Sequence, residues 1–213
     1  MIVRSVNVSP IRQVVRKDKT VSTAIFKQPV LGRARVGPLG LAGDDQADKR
    51  HHGGPQQAVY GLALEQYEHW RAELKREIPI GLMGENLTIE GLDDASICIG
   101  DVFRIGTAEL QVSKTRGPCS TLAMAMEDPT FPKHFLAMLR VGPYFRVLKE
   151  GDVGVGDRVE KLRSDPAGLT CMEVTRLMYL AKDDREGAAR AAAVETLSPD
   201  WRERFRARLT GDA

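Results

Sequence analysis

The sequence predicts a mainly β protein with helices: a β-barrel or sandwich over residues 1–163, followed by a small three-helix domain over residues 164–213. Three observations carry this. Short apolar segments with β alternation recur up to about residue 160, and over residues 2–43 they are cut at close intervals by Gly and Pro, which argues for a barrel or sandwich rather than βαβ units. From Arg163 onward the composition turns helix-favouring, with apolar stripes at helical spacing. Within the β part, residues 100–122 form two alternating strands that meet at a tight turn, break off at Thr115-Arg116-Gly117-Pro118, and leave Cys119 as the first residue beyond.

The elements follow in order. Ile2–Val8 alternates Val6 and Val8 against polar neighbours and reads as a strand. Residues 13–15 and 21–26 flank Lys17-Asp18-Lys19, a polar break that suits a hairpin. Pro29, Gly32, Gly37, Pro38, Gly40 and Gly43 then punctuate short segments such as 33–36. Residues 63–74 carry Leu64, Tyr67, Trp70 and Leu74 at helical spacing, and Pro79 and Gly81 close this helix. Strands follow at 87–89, 97–99, 102–105 and 109–113; short helices at 122–126 and 135–139 flank Asp128-Pro129. Residues 144–148 and 158–162 read as the last strands, the second closing the sheet. Gly151, Gly154 and Gly156 are not a dinucleotide fingerprint, because no helix follows them. In the C-terminal part Thr170-x-x-Glu173 is a capping box ahead of Val174, Leu177 and Met178. Residues 185–195 are alanine-rich. Ser198-Pro199 starts a third helix that places Trp201, Phe205 and Leu209 on one face.

At 213 residues the chain suffices for one large domain, or one domain with an appendage. Its 31 basic and 29 acidic residues give a net charge of +2, so no global field points to nucleic acid or a membrane surface. Cys98, Cys119 and Cys171 are far apart and form no Cys-x-x-Cys, which indicates neither a disulfide framework nor structural zinc and fits a reducing cytosol. The N-terminus lacks the apolar run of a signal peptide, and no stretch has the roughly 18 apolar residues of a membrane span. A soluble, cytoplasmic protein is expected.

Several residues invite chemistry, each beside a plainer reading. Cys119 lies three residues from Arg116, whose charge favours the thiolate, yet free cysteines are also common as small buried hydrophobes. His51-His52 resembles a metal pair, but adjacent side chains diverge and zinc needs two further ligands; a structural or ligand-orienting role is the stronger reading. The two glycines that follow expose amides suited to a small anion nest. Asp44, Asp45 and Asp48 read as a solvated acidic loop rather than a general-base group. Gly84-Glu85-Asn86 leads into a strand and sets an amide where a polar ligand could bond it, as a turn asparagine would. Arg146, in the strand Tyr-Phe-Arg-Val-Leu, shares a face with Tyr144 and Leu148 and wants an anionic partner, either a carboxylate or a ligand phosphate. Cys98 and Cys171 read as core residues.

Taken in order, these signals resemble one family. Gly43-Asp-x-Gln-Ala-Asp48, His52-Gly-Gly54, Ala58-Val-Tyr60, Gly84-Glu-Asn-Leu-Thr88, Ile99-Gly-Asp-Val102, Arg116-x-Pro-Cys119 and Tyr144-x-Arg-Val147 are similar to the MOSC domain, in particular its YiiM-like branch with a three-helix C-terminal extension. The match spans essentially the whole chain. It implies a MOSC-type β-barrel that binds the molybdenum cofactor, a pterin with a dithiolene and a phosphate; pyridoxal phosphate is a further ligand associated with the family. By the resemblance Cys119 is the thiolate ligand to molybdenum, His52 orients ligand or substrate, and Asn86, Arg116 and Arg146 serve the pterin and its phosphate. Lys27 and Lys114 are further anion-binding candidates. Three positions depart from the family pattern: Gln57, the segment Val141-Gly-Pro-Tyr144, and Ser120. They bear on substrate choice, since the cysteine and both arginines remain.

The resemblance implies an oxidoreductase that reduces N-hydroxylated compounds such as N-hydroxylamino base analogues, in a detoxifying role, with electrons from a separate redox protein. Two other functions stand beside it: a module that only carries the cofactor, and a sulfur carrier using a Cys119 persulfide. The sequence leaves room for a homodimer.

Overall fold

The computed structural model describes residues 1–16, 19–50 and 52–211. Lys17, Asp18 and His51, named above in the hairpin break and the histidine pair, lie outside the described residues. Eight strands form the main sheet. From end to end they are β13 (Val159–Arg163), β9 (Val102–Ile105), β10 (Ala108–Thr115), β11 (Pro143–Lys149), β7 (Val59–Ala63), β8 (Leu87–Glu90), β1 (Ile2–Val8) and β4 (Gln28–Pro29). Strands β5 (Arg33–Gly37), β6 (Gly40–Leu41) and β12 (Gly151–Gly154) make a smaller sheet, and β2 (Arg12–Arg16) pairs with β3 (Lys19–Thr23) as a separate hairpin.

The expected barrel is not closed. β13 and β4 end the main sheet and no ladder joins them. The sheet curls far enough for the first residues of β1 to reach the chain entering β13: the Val3 amide donates to Asp157 O (2.9 Å), Gly156 N–H to Val3 O (2.9 Å) and Val159 N–H to Met1 O (3.0 Å). Sheet closure requires a continuous staggered ladder, and here a turn with a single bridge, Ile2 to Arg158, takes its place. One crossover connection occurs beyond the short strands of the N-terminal part. β7 and β8 are parallel, and a parallel pair needs a crossover; helix α1 (Leu64–Leu74) lies between them in sequence.

Both faces of the sheet are covered, and β7 shows this in its own sequence. All five of its residues are buried. Val59 and Ala63 belong to one apolar cluster, whereas Tyr60 and Leu62 belong to another, as alternate side chains of a strand must. The second cluster gathers Tyr67 and Trp70 of α1 with the short helices α2 (Ser120–Ala125) and α3 (Phe131–Ala137). The first includes the C-terminal helices α4 (Cys171–Tyr179), α5 (Arg185–Ala193) and α6 (Pro199–Thr210). Their stripes Val174, Leu177, Met178, Trp201 and Phe205 pack into one core with sheet residues such as Phe103, Val112 and Phe145. The capping box is present in part: Thr170 Oγ1 accepts from the Glu173 amide at 3.1 Å. Among the described residues no helix is long and apolar enough to cross a membrane.

Candidate active site

β10 ends at Thr115, and the chain runs through Arg116, Gly117 and Pro118 to Cys119, which caps the N-terminus of α2 with an extended backbone (φ −144°, ψ 134°). Pro118 has no amide hydrogen and suits a turn between strand and helix. Cys119 is half-buried and stands where two cavities meet. The inner one, about 110 Å³, has as its own wall the base of the β2–β3 hairpin at Ser22 to Ile25, with Lys27, Asp44, Gly84 and Asn86. The outer one, about 480 Å³, is bounded on its far side by Lys114, Tyr179, Asp200, Trp201 and Arg204. His52, Gln57, Arg116, Cys119, Thr121 and Tyr144 are among the residues that line both.

The thiol is acidified. Burial pushes its pKa up, but the His52 hydrogen bond, the Arg116 charge, the Thr121 hydroxyl and the Leu122 amide together outweigh burial and bring it down to about 6. His52 Nε2 lies 3.8 Å from Cys119 Sγ. Arg116 is buried, with its guanidinium carbon 4.8 Å from the centre of the Tyr60 ring and Nη1 donating to Met83 O. No carboxylate pairs with it among the described residues, and its buried Nε makes no hydrogen bond. A Cβ on Gly84 (φ +83°) would meet Ile25 Cγ1 at 3.0 Å and Arg116 Nη1 at 3.6 Å, so glycine permits the close packing against that guanidinium.

The remaining candidates fall into place unevenly. Lys27 reaches the inner cavity but is buried in an ion pair with Asp44. Burial lowers the Lys27 pKa, and Asp44 opposes this. Asn86 is buried on the same wall with its amide engaged: Nδ2 donates to Asp44 Oδ2 (2.9 Å) and Asn7 O (3.3 Å), while Oδ1 accepts from Tyr60 N–H (3.0 Å). Lys114 borders the outer cavity and pairs with Asp200 at 2.8 Å. Arg146 lines neither cavity; its Nη2 bonds Thr196 O. Two residues along β11 from Tyr144 is about 6.6 Å, which carries Arg146 out of the cavity wall although alternation holds.

Asp44 is not solvated as expected: its side chain is 1% exposed, and Lys27, Asn86 and the Ser9 amide (2.9 Å) bind it. Asp45 and Asp48 do keep exposed side chains. Nor is Glu85 a plain turn residue. It is fully buried and takes hydrogen bonds from Tyr67 Oη, Thr88 Oγ1 (both 2.8 Å) and the Gly81 amide (2.9 Å), with its pKa raised by burial. Sequence reasoning also passed over Tyr60 and Tyr144, whose rings lie 5.1 Å apart at the cavity wall. Both stood in quoted motifs, and a tyrosine fixed in such a motif was the available signal. The hairpin base and the helix residues Tyr179 and Arg204 carried no signal. Among the described residues no group of three or more His, Cys, Asp or Glu could hold a metal ion unaided.

Comparison with known proteins accords with this architecture. Residues 48–160 match the MOSC domain, and residues 170–212 match the YiiM-like, 3-alpha helix domain. The chain is 34% identical over 203 residues to the Bacillus subtilis (strain 168) protein YflK, covering 95% of this chain and 92% of that one. A protein of Gibberella moniliformis named a reductase is 32% identical over 162 residues, which is 74% of this chain but 29% of that longer one. The crystal structure of YiiM from Geobacillus stearothermophilus superposes with a TM-score of 0.83 at 30% identity, covering 98% of both chains.

Proposed function

Because the chain belongs to the MOSC family and carries a YiiM-like three-helix domain behind the MOSC segment, we propose that it is a molybdenum cofactor-dependent reductase of N-hydroxylated compounds, with Cys119 as the protein's ligand to molybdenum. The observation that carries this reading is the acidified Cys119 thiol at the junction of two cavities, beside a buried arginine that no carboxylate pairs with among the described residues. The fungal relative's name, reductase, supports the reaction class.

The residues present fit the cofactor. A thiolate is the soft donor that suits a thiophilic transition metal. Arg116 offers a buried charge and an unpartnered Nε to an anionic group such as the cofactor's phosphate. Lys27 and Lys114 already hold carboxylates, but each ammonium has three donors and so can serve a second acceptor. Asn86 contributes by fixing Asp44 and Tyr60. Arg146 stands outside this set.

When bound, the cofactor supplies the two-electron redox chemistry. The chain supplies the rest. Arg116 and His52 keep Cys119 ionised, and the Tyr60–Tyr144 pair closes one side of the junction. Reduction of R–NHOH to R–NH2 and water consumes two electrons, drawn from a separate flavin or iron–sulfur protein, and two protons. His52, whose Nε2 lies 3.8 Å from Sγ, would give one proton to the departing hydroxyl.

The test is purification from a host that makes the cofactor, followed by molybdenum analysis and an assay of N–O reduction with an artificial electron donor, for wild type and Cys119→Ser. Bound molybdenum and turnover that both collapse in Cys119→Ser are expected. Molybdenum without turnover would leave a cofactor carrier. Absence of molybdenum, with cyanide-labile sulfur on Cys119, would instead make the protein a sulfur carrier.

A further inference from the structure

The outer cavity has a wall that the MOSC segment does not build. Tyr179 at the end of α4 and Asp200, Trp201 and Arg204 on α6 face the turn that carries Cys119. Contact is close: a Cβ on Gly117 would lie 2.2 Å from the Tyr179 hydroxyl. Tyr179 meets Trp201 edge-on, with centroids 5.9 Å apart at 79°, and Arg204 lies in the same cavity wall. Asp200 is pinned to the buried Lys114, which leaves the exposed Arg204 guanidinium as this wall's open donor.

Both cavities have buried polar groups of their own: Thr23, Lys27 and Asn86 in the inner wall, Lys114 and Thr115 in the outer. On the helix side of the outer wall Asp200 and Arg204 are exposed, within reach of a ligand arriving from solvent. A volume of about 480 Å³ is in the range of small-molecule sites. An aromatic ring braced on a second ring, with a guanidinium at its edge, is suited to a planar heteroaromatic ring: the ring takes the stacking contact and its ring nitrogens accept from the arginine.

Resting on the reductase reading above, we propose that the C-terminal helices supply the substrate-reading wall, with Tyr179 and Arg204 holding a planar N-hydroxylated heteroaromatic base against the turn that presents Cys119. Tyr179 and Arg204 thereby determine specificity. Small N-hydroxylated compounds that cannot span the cavity gain nothing from them.

The test uses the full chain purified with its cofactor. Adenine, a planar base with no N–O bond, is titrated calorimetrically into wild type, Arg204→Ala and Tyr179→Phe. KM is measured for an N-hydroxylated purine and for hydroxyurea, and molybdenum content is determined throughout. Arg204→Ala should weaken adenine binding and raise the purine KM at least tenfold, with hydroxyurea KM within twofold of wild type and molybdenum unchanged. Tyr179→Phe, which keeps the ring and removes only the hydroxyl, should shift the same quantities by a smaller factor. No adenine binding to wild type, equal shifts for both substrates, or loss of molybdenum from Arg204→Ala would each overturn the assignment. Adenine binding that depends on Arg204 in a protein without reductase activity would uphold this wall and sink the reductase reading instead.

Discussion

Replacing His52 by alanine should move the titration of Cys119 upward while leaving the fold intact, and the size of the effect follows from the thiol's surroundings. With the thiol at about 6, roughly nine-tenths is thiolate at pH 7 and roughly half at pH 6, against about 3% and about 0.3% for an ordinary cysteine near 8.5. Intrinsic nucleophilicity falls with thiol pKa at a slope of about 0.4–0.5, so a thiol about 2.5 pH units more acidic attacks roughly 13-fold more slowly once ionised. The two effects nearly cancel at pH 7, leaving an advantage of about twofold, but at pH 6 the advantage is about 12-fold. A single rate at neutral pH is therefore a poor test, and the midpoint of the pH profile is the quantity to measure. Iodoacetamide alkylation of the cofactor-free protein, with Cys119→Ser as the blank, should give a midpoint near 6. Cys98 and Cys171 do not interfere there, because burial pushes both thiols upward. A hydrogen bond to a charged group contributes about 1.5–3 kcal/mol, so His52→Ala should raise the midpoint by about 1–2 pH units. A wild-type midpoint at or above 8, or a midpoint that His52→Ala leaves in place, would refute this account of the site.

Three further outcomes are expected. Arg116→Gln should raise the same midpoint and cut bound molybdenum more than tenfold, because it removes the buried unpaired charge that faces the junction; unchanged molybdenum content would exclude Arg116 from cofactor binding. Asp44→Ala should cost about 3–5 kcal/mol by urea denaturation, since it leaves Lys27 buried without its partner; a cost below about 1 kcal/mol would mean that the pair is solvated. Asp94, whose carboxyl burial raises to about 7 while Gly142 N–H donates to it at 2.9 Å, should make stability depend on pH. A carboxyl raised in the folded state stabilises fully below its unfolded pKa near 3.9 and loses that contribution as pH rises through about 7. The stability of Asp94→Asn relative to wild type should accordingly climb between about pH 4 and pH 7 and then level off; a flat difference would exclude a raised Asp94.

What the sequence revealed was local. The break after Thr115, the cap at Thr170 and the helix from Pro199 each follow from a few neighbouring residues, and each appears in the fold. What it concealed depends on pairing between distant segments. Alternation gives every strand two faces but does not say whether β13 reaches β4, so barrel and open sheet look alike in sequence. The parallel β7–β8 pair was hidden because a single crossover helix among many short strands does not disturb their overall pattern. Asp44 reads as solvated among Asp45 and Asp48, and is buried where Lys27, Asn86 and the Ser9 amide, all distant in sequence, converge on it.

The same distinction separates the cations named from sequence by the partners that they find. Lys27, Lys114, Arg116 and Arg146 were alike as residue types, each a charge near an apolar segment. Burial separates them, because a buried charge must find a partner or a ligand. Lys27 has Asp44 and Lys114 has Asp200, while Arg146 bonds the Thr196 carbonyl and, like Arg116, keeps a buried Nε without a partner among the described residues, but it lines neither cavity. Arg116 has Met83 O and the face of Tyr60, both uncharged, and among the described residues its Nε is left without a partner. Its charge favours the thiolate of Cys119, a thiol that ionises near pH 6, so a buried cation and a sulfur anion face each other. Such a pair is costly to hold out of water, and a ligand that bonds both groups would offset that cost. That cost is the physical reason to place the chemistry at this turn rather than at the other cations.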